Sequence, residues 1–193
     1  MPKVELNQVR GLSRVVHLND WLIKFVTVPE GAGIQSFADE LDIRAISVDF
    51  PRATVIPQQI DIRGHRYFVP TDTEFEPTLN IQLIETDNTR VLSAMLKWRE
   101  FAYETLTGYK APPDEIKADL KIFLLNRQLQ PIYEYTVYGA WPTSFDPGGQ
   151  LVGDKGADIM RPTLTLQYDY FLSLPICAGE TGGKPPQVPD CGG

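Results

Sequence analysis

The chain has 193 residues, of which 42% are hydrophobic and 22% are charged. This composition fits one globular domain that can bury a sizeable core. The net charge of −7 gives no basic surface of the kind that binds nucleic acid tightly. No apolar segment is long enough to span a bilayer, and charges through the first twenty residues argue against a signal peptide. We therefore expect a protein that is made and folded in a cytoplasm.

Residues that hold metals or perform catalysis are not clustered in this sequence. His17 and His65 lie far apart, and neither has a cysteine or carboxylate at metal-ligand spacing. The spacing of Cys177 and Cys191 matches no zinc or redox motif. The sequence also has no phosphate-binding loop, no dinucleotide fingerprint and no Gly-x-Ser-x-Gly elbow. It therefore predicts no metal, no cofactor and no enzymatic activity.

Alternating apolar and polar residues predict antiparallel strands in the first half of the chain. These predicted strands are residues 21–28, 41–48, 55–64 and 78–85. Residues 31–40 are predicted to form a loop, and 71–74 to connect the third strand to the fourth. Residues 1–18 are predicted to form either a short strand or an arm against a neighbour, and the pattern leaves both open.

One helix is predicted after the fourth strand. Asp87 or Thr89 is a candidate for its N-cap, and Gly108 is a plausible C-cap. Its apolar stripe has i, i+3 and i+4 spacing and consists of Val91, Leu92, Met95, Trp98, Ala102 and Leu106. A stripe of this kind is typical of a core-facing helix rather than of a ligand site.

Three more strands are predicted in the second half, at residues 117–125, 132–138 and 163–172. The second of them should stop at Gly139, because Pro142 cannot donate to a ladder of strands. Together the patterns predict a mainly antiparallel β domain (α+β), a barrel or sandwich with one flanking amphipathic helix. The domain should cover residues 19–173, with a Pro- and Gly-rich tail at 174–193. We expect its core to include Trp21, Met95, Trp98, Trp141 and Tyr168.

One short motif and the order of the elements resemble a known family. The motif is Tyr138-Gly139-Ala140-Trp141-Pro142-Thr143, and it is followed by a loop and the closing strand at 163–170. With the early strand near Trp21 and the helix that carries Trp98, this order resembles the tail tube proteins of contractile-tailed bacteriophages. The resemblance spans roughly residues 19–173.

The resemblance implies a viral structural protein without catalytic residues. Copies of such a subunit form hexameric rings, and the rings stack into a hollow tube that passes DNA inside a contractile sheath. The implied partners are further copies of the chain, the tail sheath protein, and the baseplate and tail-terminator proteins. DNA would pass without sequence-specific binding. The implied location is the virion tail, assembled in the host cytoplasm.

Other functions remain open at this point. A baseplate tube-initiator or a secretion-system ring subunit would have the same strands and helix. An oligomeric ligand-binding β domain or an unrecognised hydrolase would belong to a different class. Two interpretations of the polar strand faces are also open. These faces are either solvated or line a channel once subunits close into a ring.

If the tube interpretation holds, the bore should be lined by polar side chains that alternate with apolar ones. The candidates are Gln59, Asp61, Asn80, Gln82, Thr163, Thr165, Gln167 and Asp169. A neutral or acidic wall would not hold phosphate, so that DNA could slide through it.

Both cysteines lie in the C-terminal tail, where no core is available to bury them. Two free thiols, a bridge within one chain and a bridge between subunits are all open. A bridge within one chain would close a loop of roughly fifteen residues, worth about 3 kcal/mol in the chain-entropy model. We favour an inter-subunit link between Cys177 and Cys191, because a bridge within the tail would stabilise little of the folded domain.

Overall fold

The computed structural model of the protein describes residues 18–149 and 159–176. Within these ranges the chain forms a seven-stranded antiparallel sheet, a separate two-stranded hairpin and a few helices. The predicted β-rich fold class with one longer helix is therefore confirmed. Most of the predicted N-terminal arm and C-terminal tail, with His17, Cys177 and Cys191, lies outside the described residues.

The large sheet has the strand order β1-β6-β7-β8-β5-β2, and β9 pairs with the first part of β7. The hairpin consists of β3 and β4. The strands are β1 (Trp21–Thr27), β2 (Ala45–Val48), β3 (Ala53–Ile62), β4 (His65–Phe75), β5 (Thr78–Leu83), β6 (Ala118–Leu125), β7 (Pro131–Asp146), β8 (Thr163–Gln167) and β9 (Tyr170–Pro175).

Strand β7 is longer than the sequence predicted. It does not stop at Gly139 but continues through Pro142 to Asp146. Its last pair with β6 is Ala118 opposite Ala140, and beyond that point only β8 pairs with it among the described residues. Pro142 therefore lies where one edge of β7 has no partner, and a missing N–H costs no ladder hydrogen bond there.

The predicted strand at 163–172 is interrupted. β8 pairs with the second part of β7, and β9 pairs with the first part. Between them, the Asp169 N–H donates to the carbonyl oxygen of Tyr138 at 3.0 Å. β9 ends at Pro175, two residues into the segment predicted as tail.

Residues 30–44 contain three short helical segments, where the sequence predicted a loop and the start of a strand. A 3₁₀ turn at Glu30–Ala32 is followed by α1 (Gln35–Ala38) and α2 (Leu41–Arg44). Ile34, Phe37 and Leu41 are buried. Their spacing of three and four residues is typical of a helix. The strand was predicted instead from the short alternation of apolar and polar residues that begins at residue 41.

The hairpin also extends further than predicted, because residues 71–74 belong to β4 and pair with the first part of β3. Arg63 and Gly64 form its turn, both with positive φ, at 49° and 80°. Two consecutive residues with positive φ are typical of a tight two-residue hairpin turn. Pro57 lies opposite Pro70, which is tolerated because each strand of an isolated hairpin has a free edge.

The predicted helix is α3 (Arg90–Ala102), and a short α4 (Pro113–Ile116) follows it. The buried face of α3 consists of Val91, Ala94, Met95 and Trp98. The Trp98 indole N–H donates to the carbonyl oxygen of Ile116 at 2.9 Å. Leu106 does not belong to this stripe. The helix ends before it, and its side chain is 95% exposed.

The core lies between the large sheet and the helices. Met95, Trp98 and Tyr168 are buried, and Trp21 is half-buried with its side chain packed against the core. Trp141 is also half-buried, but it pairs with Gln167. Directly opposed residues share a face of a sheet, so Trp141 lies on the polar side rather than on the core side.

A polar sheet face and a projecting hairpin as candidate assembly surfaces

One face of the sheet around β5 and β8 is polar. Asn80 lies opposite Thr165, Gln82 opposite Thr163, and Gln167 lies at the end of the same ladder. Opposed residues share a face, so these five side chains lie on one surface. The alternate residues of both strands are buried in the core on the other side. Five of the eight predicted bore residues are therefore together.

Neighbouring strands extend this polar face. Ser47 on β2 lies opposite Gln82, while Ser144 and Asp146 on β7 lie opposite Thr165 and Thr163. These positions were missed in the sequence, because β2 is short and the second part of β7 was predicted to be a loop. Only the register of the strands brings them to this surface.

Hydrogen bonds between side chains connect the strands across the face. The Thr165 hydroxyl donates to Asn80 Oδ1 at 2.9 Å, and Asn80 Nδ2 donates to Asp49 Oδ2 at 2.9 Å. Asp49 and Asp146 make the face acidic in part, and Arg161 lies beside Asp146 at its edge. The polar face is therefore largely uncharged and ordered by its own hydrogen bonds.

The other three predicted bore residues lie elsewhere. Gln59 and Asp61 are on the hairpin, where Gln59 Nε2 donates to Asp61 Oδ2 at 2.8 Å. Asp169 lies between β8 and β9, and its carboxylate is 2.7 Å from Lys117 Nζ. Alternation in a sequence indicates which residues share one face of a strand. It does not indicate which sheet the strand joins, and for this reason the eight were predicted to lie together.

The β3–β4 hairpin, called the arm below, projects from the body of the protein. Its strands pair along their whole length, and no other element among the described residues packs extensively against them. At about 3.3 Å per residue, ten residues extend roughly 30 Å. The arm exposes large apolar side chains, namely Ile56, Ile62, Tyr67 and Phe68. Exposed apolar residues on a strand pair with free edges mark an interaction surface.

Neither a metal centre nor a membrane span is found in the described part of the chain. No cluster of three or more His, Cys, Asp or Glu residues there has the arrangement to hold a metal ion. None of its helices combines the length and the apolar character needed to cross a membrane.

The chain matches no protein-family model and no curated protein. Its fold is nevertheless similar to solved structures. A chain of the sheath–tube complex of an extracellular contractile injection system (PVC) in the extended state superposes with a TM-score of 0.58 at 14% identity, covering 90% of this chain and 100% of that chain. A chain of the anti-feeding prophage cap, which terminates the tube, gives 0.59 at 13% identity, covering 84% and 92%.

A chain of the six-fold symmetrised anti-feeding prophage baseplate gives a TM-score of 0.54 at 16% identity, covering 80% of this chain and 90% of that chain. These structural neighbours come from the sheath–tube complex of PVC and from the cap and baseplate of the anti-feeding prophage. They share the fold of this chain over most of its length, in agreement with the resemblance to a contractile-tail tube protein.

Proposed function

We propose that the protein is a structural, non-enzymatic subunit of the tube of a contractile injection apparatus. In this proposal, copies of the chain close into a ring, and the rings stack into a hollow tube. The polar face of β5 and β8 carries the proposal, because it gives each subunit a water-compatible surface opposite its core. The fold shared with chains of contractile injection particles supports it.

Ring closure would also protect the ends of the sheet. Among the described residues, the sheet has free edges at β1, β2 and β9 and along the second part of β7. Such edges present unpaired backbone groups to other chains, and a closed ring of subunits covers them. The polar face would then line the bore, while α3 packs against the other side of the sheet.

In its finer form, the proposal is a bacteriophage tail tube of stacked hexamers that conducts DNA inside a contractile sheath. The six-fold symmetry of one structural neighbour and the sheath–tube assembly of another support the stoichiometry and the partners. The largely uncharged bore also suits DNA. Phosphates that pass such a wall release few counterions, so that the wall would not retain them.

A second candidate is a subunit that starts or ends the tube. It is favoured by the structural neighbours from a baseplate and from a tube-terminating cap. Such a subunit would form single rings, because one of its ring faces would meet a different protein. A tube subunit offers two faces that fit each other and polymerises without limit.

Mass measurement and negative-stain electron microscopy of the purified protein test these proposals. Long hollow polymers are expected for the tube subunit, and single rings for the initiator or terminator. A protein that stays monomeric over the full range of accessible concentrations would contradict both.

A further inference from the structure

We propose that the tip of the arm of one copy docks into an acidic cleft of a second copy. This inference rests on the proposed self-assembly and names two surfaces that would meet in it. The arm tip is defined by residues 61–68. The acidic cleft lies where β1 ends, between the 3₁₀ turn, α4 and the start of β6.

The arm tip is both basic and apolar. Arg63 lies at the turn and is exposed, and it forms no ion pair among the described residues. Arg66 is also exposed, and its Nε is 3.3 Å from Asp61 Oδ1, so that one carboxylate compensates one of the two guanidinium groups. Ile62 and Phe68 are 52% and 62% exposed. The tip therefore offers a positive charge beside apolar side chains.

The acidic cleft has a volume of about 720 Å³, which is large enough for several side chains. Its lining residues are Thr27, Val28, Pro29, Glu30, Gly31, Phe101, Asp114, Glu115, Lys117, Asp119 and Gly139. Four of these residues are carboxylates and one is a cation. Val28, Pro29 and Phe101 add apolar surface.

Most of this negative charge is uncompensated. The ammonium of Lys117 is directed to Asp169 at 2.7 Å, and Asp119 Oδ1 accepts the N–H of Gly139 at 3.0 Å. Glu30, Asp114 and Glu115 form no ion pair within the described ranges. The acidic cleft thus complements the tip in charge, and its apolar side chains can contact the stem of an arginine and a neighbouring isoleucine.

The arm tip that occupies an acidic cleft has to come from another copy of the chain. The arm is a self-paired ribbon that no other element among the described residues packs against extensively, and none of its residues lines the cleft of its own copy. A contact between an arm and a cleft joins two different surfaces. Such a heterologous contact propagates from copy to copy into rings or filaments, which is the kind of contact that a stacked tube requires.

Charge reversal on both surfaces tests the docking. Arg63→Glu alone, and Asp114→Lys with Glu115→Lys, should each raise the protein concentration needed for assembly by about tenfold or more, because like charges would then face each other. The combination of all three substitutions should restore assembly at close to the wild-type concentration. Lys97→Glu, on an exposed position of α3, is the control and should leave this concentration unchanged.

The outcomes separate this inference from the proposed function. If the wild-type protein assembles and the reversals have no effect, or if the triple variant is not rescued, the arm tip and the cleft do not meet and the inference is wrong. The proposed function would still stand. Failure of the wild-type protein itself to assemble would contradict the function and the docking together. Far-UV circular dichroism of every variant checks that the fold is retained.

Discussion

The side chain of Asp169 lies directly against the Cα of Gly139, so that a Cβ at position 139 would be 2.8 Å from Asp169 Cγ. Gly139 has a φ of +66°, and its N–H donates to Asp119 Oδ1. The contact lies where β7 changes its partner from β9 to β8. Glycine at this position is thus favoured by the backbone conformation, and any Cβ there would have to displace the carboxylate of Asp169 from its contact with Lys117.

We expect Gly139→Ala to lower the free energy of unfolding by about 2–5 kcal/mol, since it combines a left-handed backbone with a steric overlap. Urea denaturation measures this change. Gly33→Ala is the matched control, because Gly33 also has a positive φ but open space around its Cα. It should cost only about 1–2 kcal/mol. Equal effects of the two substitutions would show that the overlap with Asp169 has no energetic consequence.

The start of α3 provides a second prediction. Glu85 accepts hydrogen bonds from the N–H groups of Val91 at 3.3 Å and Leu92 at 2.8 Å. Thr89 occupies the N-cap position but makes no side-chain cap, and its φ is +49°. Glu85→Ala should therefore cost about 1–2 kcal/mol. Thr89→Gly should be neutral or stabilising by up to about 1 kcal/mol, because a β-branched residue is strained there. Chemical denaturation that shows the reverse order would mean that Thr89 is the true cap.

The contact between α3 and α4 depends on Trp98, which is fully buried and donates to the carbonyl of Ile116. Trp98→Ala should cost roughly 3–5 kcal/mol through the cavity that it leaves. Leu96→Ala, on the exposed side of the same helix, should stay within about 0.5 kcal/mol of wild type. Thermal or urea unfolding compares the two. A similar loss of stability in both variants would show that the buried face of α3 is assigned wrongly.

The loop after α3 should make stability depend on pH. The Thr105 hydroxyl, the Thr105 N–H and the Arg99 guanidinium all donate to Glu100 and lower its pKa from 4.5 to about 2. A carboxyl whose pKa is lower in the folded state stabilises the fold fully above pH 4.5, and this contribution is lost as the pH falls towards 2. The urea midpoints of wild type and Glu100→Gln should thus differ at pH 7 and converge by about pH 2. A difference that does not change with pH would rule out this role of the charge.

Local patterns in the sequence predicted a large part of this fold. The stripe that contains Met95 and Trp98 gave the buried face of α3, and the alternation around Asn80 and Thr165 gave the polar face. In each case, the neighbours along the chain determine which side of the element is buried.

Features that depend on distant parts of the chain were not predictable in this way. The continuation of β7 through Pro142 depends on the absence of a partner strand at that edge. The position of Gln59 and Asp61 depends on β3 joining β4 alone rather than the large sheet. Glu85 caps α3 because of the conformation of the turn that precedes the helix. The sequence pointed to Thr89 instead, because its residue type and its position are those of an N-cap.

A cryo-electron microscopy reconstruction of the assembled protein tests the central claim most directly, namely that the polar face lines the bore of a tube. The account predicts hollow stacked rings in which Asn80, Gln82, Thr163 and Thr165 face the central channel and α3 lies on the outer side of the sheet. Particles in which these side chains face outward or are buried between subunits, or a preparation that forms no rings at all, would contradict it.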